Sequence, residues 1–279
     1  VRRSGLTENT RGLGAHDHVC WRFEEAHEFR AHAREFLSDG LARGHQVRYI
    51  APGDVTALAG DLRGIDRIDE ALDTGAAQIV SLDDQYAVEA AIDPAAQVRS
   101  YAEATRTALA AGYTGLRVAA DCTPLVRTAE QLDAFARYEH LVDHYMTTSP
   151  FSAMCGYAAS AVDEETFAQV ACMHPNTNSP LPGFRLYADH GGTALGGETD
   201  FVTGELFSKA LDRAAPRPRD GQLVLEAGGL EFLDHNSLLR LAGYAADRDA
   251  VLVLRTSWPG AARLVDLLDL VDVRVEAAA

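Results

Sequence analysis

An α/β protein is what this sequence predicts, and three observations carry the prediction. Short β-branched or aromatic runs alternate with segments of helical period. The junctions between them hold capping residues, glycine and proline. After a proline-rich stretch the alternation resumes on a smaller scale. With 279 residues, 47% hydrophobic and 24% charged, the chain can bury one large core or two smaller ones, and the change of pattern favours two.

His18-Val-Cys-Trp-Arg-Phe23 has strand composition and leads into a helical pattern from Glu24 to about Ala42, where Phe29, Phe36 and Leu37 recur at helical spacing. Gln46-Val-Arg-Tyr-Ile-Ala51 reads as the next strand; it stops at Pro52-Gly53, and Asp54 is placed to cap a short helix. A helix from Ile68 to Leu72 precedes a strand from Gln78 to Leu82. Asp93-Pro94 opens a long helix reaching Ala111, because proline fits the first helical turn, and Leu116-Arg-Val-Ala-Ala120 is a strand closed by Asp121. Thr128-Ala-Glu-Gln131 is a capping box, so a helix should run to about Met146, ahead of a strand from Phe151 to Tyr157. Five β-runs alternating with helices describe a mostly parallel sheet sandwiched by helices, with right-handed crossovers and a ligand crevice beyond the carboxyl ends of the strands.

A helix from about Glu164 to Cys172 ends this pattern. His174-Pro-Asn-Thr-Asn-Ser-Pro-Leu-Pro-Gly183 then breaks every periodicity with three prolines and is the candidate linker. The boundaries fall at 1–178 for the first unit, 179–183 for the linker and 184–279 for the second unit. That second unit predicts strands at about 184–190 and 193–198, a helix over 202–214 and a strand from Leu223 to Glu226. A helix from Ser237 to Asp247, a strand from Val251 to Arg255, a helix from Ala261 to Leu270 and a strand from Val273 to Glu276 complete it.

Composition narrows the function. A formal net charge of −16 works against direct nucleic-acid binding, which needs clustered Lys and Arg, and against anionic lipid. No apolar run reaches the roughly 20 residues that span a bilayer, and the start lacks the pattern of a signal peptide. Cys20, Cys122, Cys155 and Cys172 are far apart and form no CxxC, which suits reduced thiols in the cytoplasm.

His18 and Cys20 stand two apart on one strand, so their side chains share a face, and with Asp121 and Cys122 they are expected to line the crevice. Such a set can ligate zinc, but cysteine in a parallel strand is more often a small core residue, and a metal-free pocket is the expectation. Trp21 and Tyr157 are candidates for its apolar wall. His140 and His144 have a chelating i, i+4 spacing but no adjacent HExxH glutamate, and read as a solvated helical face. No catalytic signature survives inspection, and no cofactor is specified.

The sequence carries two family resemblances. His18-Val-Cys20-Trp21, Glu28-Phe29, Phe36-Leu37, Gly40-Leu41, Gly44 and Gln46 to Ile50 resemble the opening of the MEDS sensory domain of methanogen and methylotroph regulators. Asp121, Tyr138-Glu139, Cys155-Gly-Tyr157 and His174-Pro175 extend the match over about residues 12–178. The resemblance implies a divergent RecA-like fold that senses small molecules, hydrocarbon derivatives among them. Where a P-loop would need GxxxxGK[ST], the chain has Glu24-Glu-Ala-His, whose carboxylates repel a triphosphate. Asp121 sits where a Walker-B carboxylate would lie, and without a phosphate loop it implies no hydrolysis.

Gly197-Glu-Thr-Asp200 with the following helix, and Leu223-Val-Leu-Glu-Ala-Gly-Gly-Leu-Glu-Phe-Leu-Asp234 running into Ser237-Leu-Leu, resemble the STAS domain of anti-sigma-factor antagonists. That resemblance implies an anti-sigma factor or related serine kinase as partner, met by Asp234, His235, Asn236 and Ser237. The family's phosphorylated Ser or Thr directly after the aspartate is replaced here by His235, and Ser237 stands where the family has Gly. Asp234, Asn236 and Ser237 therefore read as turn and capping residues. Together the resemblances imply a cytoplasmic signalling protein rather than an enzyme: a first unit that senses a small molecule or redox change with His18, Cys20, Trp21, Glu24, Asp121, Cys122 and Tyr157, and a second that binds a protein. The alternatives are a nucleotide-binding protein or ATPase with a noncanonical RecA-like site, and a module that serves only self-association.

Overall fold

A computed structural model describes residues 4–86, 88–189 and 192–278. The expected strand end at 190 and the outer domain limits, 1 and 279, lie outside the described residues. In chain order the elements of the first sheet and its helices are β1 (Gly5–Leu6), β2 (His18–Phe23), α1 (Ala26–Ala42), β3 (Gln46–Ala51), α2 (Val55–Leu58), α3 (Ile68–Asp73), β4 (Ala77–Ser81), α4 (Leu82–Gln85), α5 (Pro94–Ala110), β5 (Leu116–Asp121), α6 (Ala129–Thr148), β6 (Phe151–Ala158), α7 (Glu164–Ala171) and β7 (Asn176–Thr177). The second group is β8 (Phe184–Asp189), β9 (Gly192–Thr199), α8 (Gly204–Ala214), β10 (Gln222–Glu226), β11 (Leu230–Leu233), α9 (His235–Ala246), β12 (Val251–Arg255), α10 (Gly260–Leu267) and β13 (Val273–Glu276).

The first sheet has seven strands in the order β1-β7-β2-β6-β5-β3-β4, every pairing parallel. Helix α1 packs on one face. Phe29, Ala33, Phe36 and Leu37 meet Val19, Trp21, Phe23 and Met154 there, a burial that follows from their spacing along the helix. Gly156 in β6 lets that helix come close, because a Cβ at this position would overlap the Phe29 ring. Helices α5 and α6 cover the other face. The capping expectations hold in detail: Asp54 accepts from Thr56, Asp93 accepts from Ala95 and Ala96 ahead of Pro94, and Thr128 and Gln131 close a capping box.

The structure departs from expectation at two places near the sheet's centre. Asn176 and Thr177, expected in the aperiodic stretch, form β7 beside β2 and are buried, as is His174. Their pairing is only two residues long, too short for any period to show. His140, expected on a solvated helical face, is fully buried. Its helix α6 is flanked by α5, α7, β8 and α8, so little of its circumference meets solvent.

In the second sheet the order is β11-β9-β10-β12-β13, all parallel, with β8 antiparallel to β9. Gly197, at φ +81, turns β9 where a Cβ would overlap the Gly183 carbonyl, so the glycine of the Gly-Glu-Thr-Asp motif answers a steric requirement. Strand β11 is an addition to the expected elements, and α9 begins at His235 rather than Ser237 because Asp234 is its cap. One apolar core is shared by both sheets, running from Tyr101, Phe135 and Phe151 to Phe184, Phe207, Leu225 and Leu252.

A buried arginine ties α1 to the sheet. Arg117 of β5 is fully buried, donates from Nε to Ser152 Oγ at 3.1 Å and from Nη1 to Phe36 O at 3.1 Å and Asp39 Oδ2 at 3.0 Å. Its Nη2 donates to Leu13 O and to Gly14 O, and its guanidinium lies over the Phe36 ring. Arg117→Leu strands these buried carbonyls and leaves Asp39 to Arg43 alone, and should lower unfolding free energy by about 3–5 kcal/mol. Equilibrium urea denaturation checks this, and Arg106→Leu, at an exposed ion pair with Glu103, should change stability little.

Candidate functional site

Strands β2 and β6 pair in parallel with His18 opposite Ala153, Cys20 opposite Cys155 and Arg22 opposite Tyr157. Alternation along each strand sends His18, Cys20, Cys155 and Tyr157 to the face covered by α6. From that helix Glu139 and Asp143, four residues apart, reach down on one side. The turn after α7 adds His174. These groups meet in the core, and His18, Glu139, Cys155 and His174 each offer an atom within 4.8 Å of the others.

The His18 ring stands between two carboxylates. Its Nδ1 is 3.1 Å from Asp143 Oδ1 and its Nε2 is 3.2 Å from Glu139 Oε2, all three side chains being fully buried. Cys155 Sγ is 3.5 Å from His18 Nε2 and 3.7 Å from Glu139 Oε2. Tyr157 donates its hydroxyl to Glu139 Oε1 at 2.8 Å. His174 packs on His18 with ring centroids 4.0 Å apart. Its Nδ1 lies 2.9 Å from the Val170 carbonyl, which can only accept, so the proton sits on Nδ1. That leaves a lone pair on Nε2, which makes no hydrogen bond and faces Glu139 Oε2 at 3.5 Å.

The electrostatics are set by this packing. Burial alone would hold His18 down, but its hydrogen bonds to Asp143, Cys155 and Glu139 raise it well above the ordinary histidine value. Burial acts to raise Glu139, yet His174, His18 and Tyr157 outweigh it and leave the carboxyl below the usual glutamate range. Burial and the neighbouring His18 push His174 down to about 4 against the pull of Glu139. The hydrogen bond with Cys122, then burial and Glu139, push the Cys155 thiol up.

The residues singled out in the sequence are not gathered at one crevice. His18, Cys20, Cys122 and Tyr157 share the α5–α6 face of the sheet, but they are fully buried rather than lining an opening. Trp21 points to the other face, against the His32 ring. Asp121 also departs from Cys122, because alternation along β5 turns it toward a cleft of about 200 Å³ lined by Phe23, Phe29, Tyr49, Asp61 and Pro52. Burial raises the Asp121 carboxyl above its ordinary value. Glu24 is exposed at the start of α1. Glu139, Asp143, Cys155 and His174 carry the site, and the sequence pattern alone assigns none of them a role.

In the second unit Asp234 caps α9 by accepting from Ser237 N at 2.7 Å, and His235 is exposed. Ser237 is fully buried, so it cannot meet a partner or a kinase from inside the helix start, which corrects its place among the partner-binding residues. Beside Asp234 and His235 lies a groove of about 340 Å³ lined by Phe232, Trp258, Leu264 and Leu267.

The family model of the MEthanogen/methylotroph, DcmR Sensory domain, MEDS, matches residues 17–175. The chain belongs to the MEDS family. The MEDS match begins one residue before His18 and ends one residue after His174, so it encloses the whole buried cluster, while the second sheet lies beyond it. Among solved structures, the MEDS chain is similar to the flagellar accessory protein FlaH from Methanocaldococcus jannaschii, at 10% identity and a TM-score of 0.38 over 67% of this chain and 81% of that one. No curated protein matches it. No helix among the described residues is long and apolar enough to cross a membrane.

At the carboxyl end of β2 the backbone amides of Glu24 and Glu25 are already occupied. Glu28 Oε2 accepts from Glu24 N at 2.9 Å and from Glu25 N at 3.3 Å, placing the protein's own carboxylate where an anion would sit. Titration with ATP and Mg²⁺ should therefore give neither binding heat nor phosphate release. Saturable binding that Asp121→Asn abolishes would show that this end of the sheet is a nucleotide site.

Proposed function

We propose that this protein is a non-catalytic sensor-transmitter, in which the state of the buried His18 cluster in the MEDS unit sets the posture of the C-terminal sheet. The observation that carries this reading is the Asp143 carboxylate. One oxygen, Oδ1, meets His18 Nδ1, and the other, Oδ2, accepts from Ala188 N of β8 at 2.7 Å. A single side chain thus spans from the cluster to the first strand of the second sheet.

Strand β8 pairs only with β9 among the described residues, so its outer amides face the first unit. Leu186 N donates to Cys172 O at 2.6 Å and Ala188 N to Asp143, which covers an edge that would otherwise stand open. Arg213 of α8 adds a bond from Nε to Asp133 Oδ1 at 3.0 Å and one from Nη2 to Gln169 Oε1 at 2.9 Å. Any change that moves the His18 ring or its proton must be felt by Asp143 and hence by β8. A signal acts only through the difference in its affinity for the two postures.

The C-terminal unit is read as STAS-like and as the output. Its partner on this reading is a protein of the anti-sigma-factor or serine-kinase type, engaged by Asp234, His235 and Asn236 with the adjoining Phe232–Trp258 groove. The acidic surface suits a basic protein partner in the cytoplasm and not nucleic acid. Burial of Ser237 supports control by the sensory unit rather than by phosphorylation at that residue.

Hydrogen exchange followed by mass spectrometry on the full chain tests the coupling. Glu139→Gln and Asp143→Asn should raise exchange in residues 184–189 and carry the effect to 230–240, while β3 and β4, on the far side of the first sheet, stay protected. Exchange that changes only within the first unit would contradict the reading.

A further inference from the structure

His18, Glu139, Cys155 and His174 converge their donor atoms as a metal site does. A tetrahedral ion bound at about 2.0–2.2 Å to nitrogen and oxygen and about 2.3 Å to sulfur sets its ligand atoms roughly 3.3–3.6 Å apart. In this cluster His18 Nε2 to Glu139 Oε2 is 3.2 Å, His174 Nε2 to Glu139 Oε2 is 3.5 Å, Cys155 Sγ to His18 Nε2 is 3.5 Å and Cys155 Sγ to Glu139 Oε2 is 3.7 Å. Two of these edges fall inside that range and the other two lie within 0.1 Å of it. The widest lies within 4.8 Å, so closing on an ion asks for about 1 Å of movement.

The outer contacts are those that orient ligands. Metal-binding histidines hold their second ring nitrogen on a carboxylate or backbone carbonyl, which fixes the ring and its tautomer. Here His18 gives Nδ1 to Asp143 and His174 gives Nδ1 to the Val170 carbonyl, so both present Nε2 to the same point. Glu139 has its other oxygen held by the Tyr157 hydroxyl. The Nε2 of His174 is fully buried with no hydrogen bond among the described residues, a cost that a bound cation removes.

Charge balance points the same way. A divalent ion meets the Glu139 carboxylate and a Cys155 thiolate one for one, while the Asp143 carboxylate keeps the His18 Nδ1–H and the Ala188 amide as its partners. Two imidazoles, one thiolate and one carboxylate suit zinc or a similar divalent transition ion, not magnesium or calcium.

We propose that His18, Glu139, Cys155 and His174 bind one zinc-class divalent ion as a closed, four-ligand site in the core of the MEDS unit. With all four positions filled by protein, the ion is a structural and thiolate-bearing centre. The site goes beyond the signalling reading and stands apart from it: absence of metal removes this site and leaves the coupling through Asp143 in place.

Because the site is buried, the full chain should be loaded during growth in zinc- or cobalt-supplemented medium and purified without chelators. Elemental analysis should find stoichiometric metal. The cobalt form should show tetrahedral d–d absorption together with a thiolate-to-cobalt charge-transfer band. Cys155→Ser should lose that charge-transfer band, and His174→Gln should lose most of the metal. Should either variant fail to fold, X-ray absorption on the wild-type zinc form must show one sulfur in the first shell with nitrogen and oxygen. Trace metal and no cobalt spectrum in folded wild-type protein would overturn the proposal, as would a first shell without sulfur, or a spectrum unchanged in folded Cys155→Ser.

Discussion

Two carboxylates from one helix are buried in the middle of this molecule, and the His18 imidazole stands between them. Carboxylates taken out of water are tolerated only when their charge is met and their lone pairs are filled. Glu139 is met by His18, Tyr157 and Cys155, and Asp143 by His18 and the Ala188 amide. That requirement fixes where α6 lies over β2 and β6. It also fixes where β8, and with it the second sheet, lies against α6.

The rest of the architecture is a consequence. Helix α6 is neither a surface helix of the first unit nor part of the second; it is the shared wall between them, which is why its burial extends to His140 and Thr147. Strand β8 can be an edge because its outer amides end on Cys172 O and Asp143. The continuous apolar core across both sheets supplies the bulk of the adhesion, since apolar burial is the largest favourable term in folding, while the polar contacts set the register of one sheet on the other. A cluster that can change its protons, its thiol or its ligand sits where Asp143 joins the two units.

Much of the fold was legible because it rests on local chemistry. The capping box at Thr128, the proline-led helix after Asp93 and the alternating strands each declare themselves within a few residues. The second sheet was equally legible up to β11, where a four-residue strand directly after β10 offers too little pattern. The site was only half legible. Alternation put His18 and Cys20 on one face, which Cys122 and Tyr157 share in the structure, but Asp121 was grouped with them although it is adjacent to Cys122 and so points the other way, as does Trp21. Glu139 and Asp143 carried a signal, an i, i+4 carboxylate pair on the apolar side of a helix. His174 entered only through the family resemblance, with no local pattern to give it a role, because that role depends on β7, whose two residues pair across more than 150 positions of chain.

Held at α6, the two sheets should behave as one body. The chain has two tryptophans, Trp21 in the first sheet and Trp258 in the second unit, so single-tryptophan variants Trp258→Phe and Trp21→Phe report each unit alone. Urea unfolding followed by fluorescence in both variants should give coincident transitions, superimposable on the loss of circular dichroism, as a single cooperative unit requires. A Trp258 transition that is complete before Trp21 begins to respond would mean that the second sheet unfolds independently, and the account of Asp143 as a rigid coupling would be wrong.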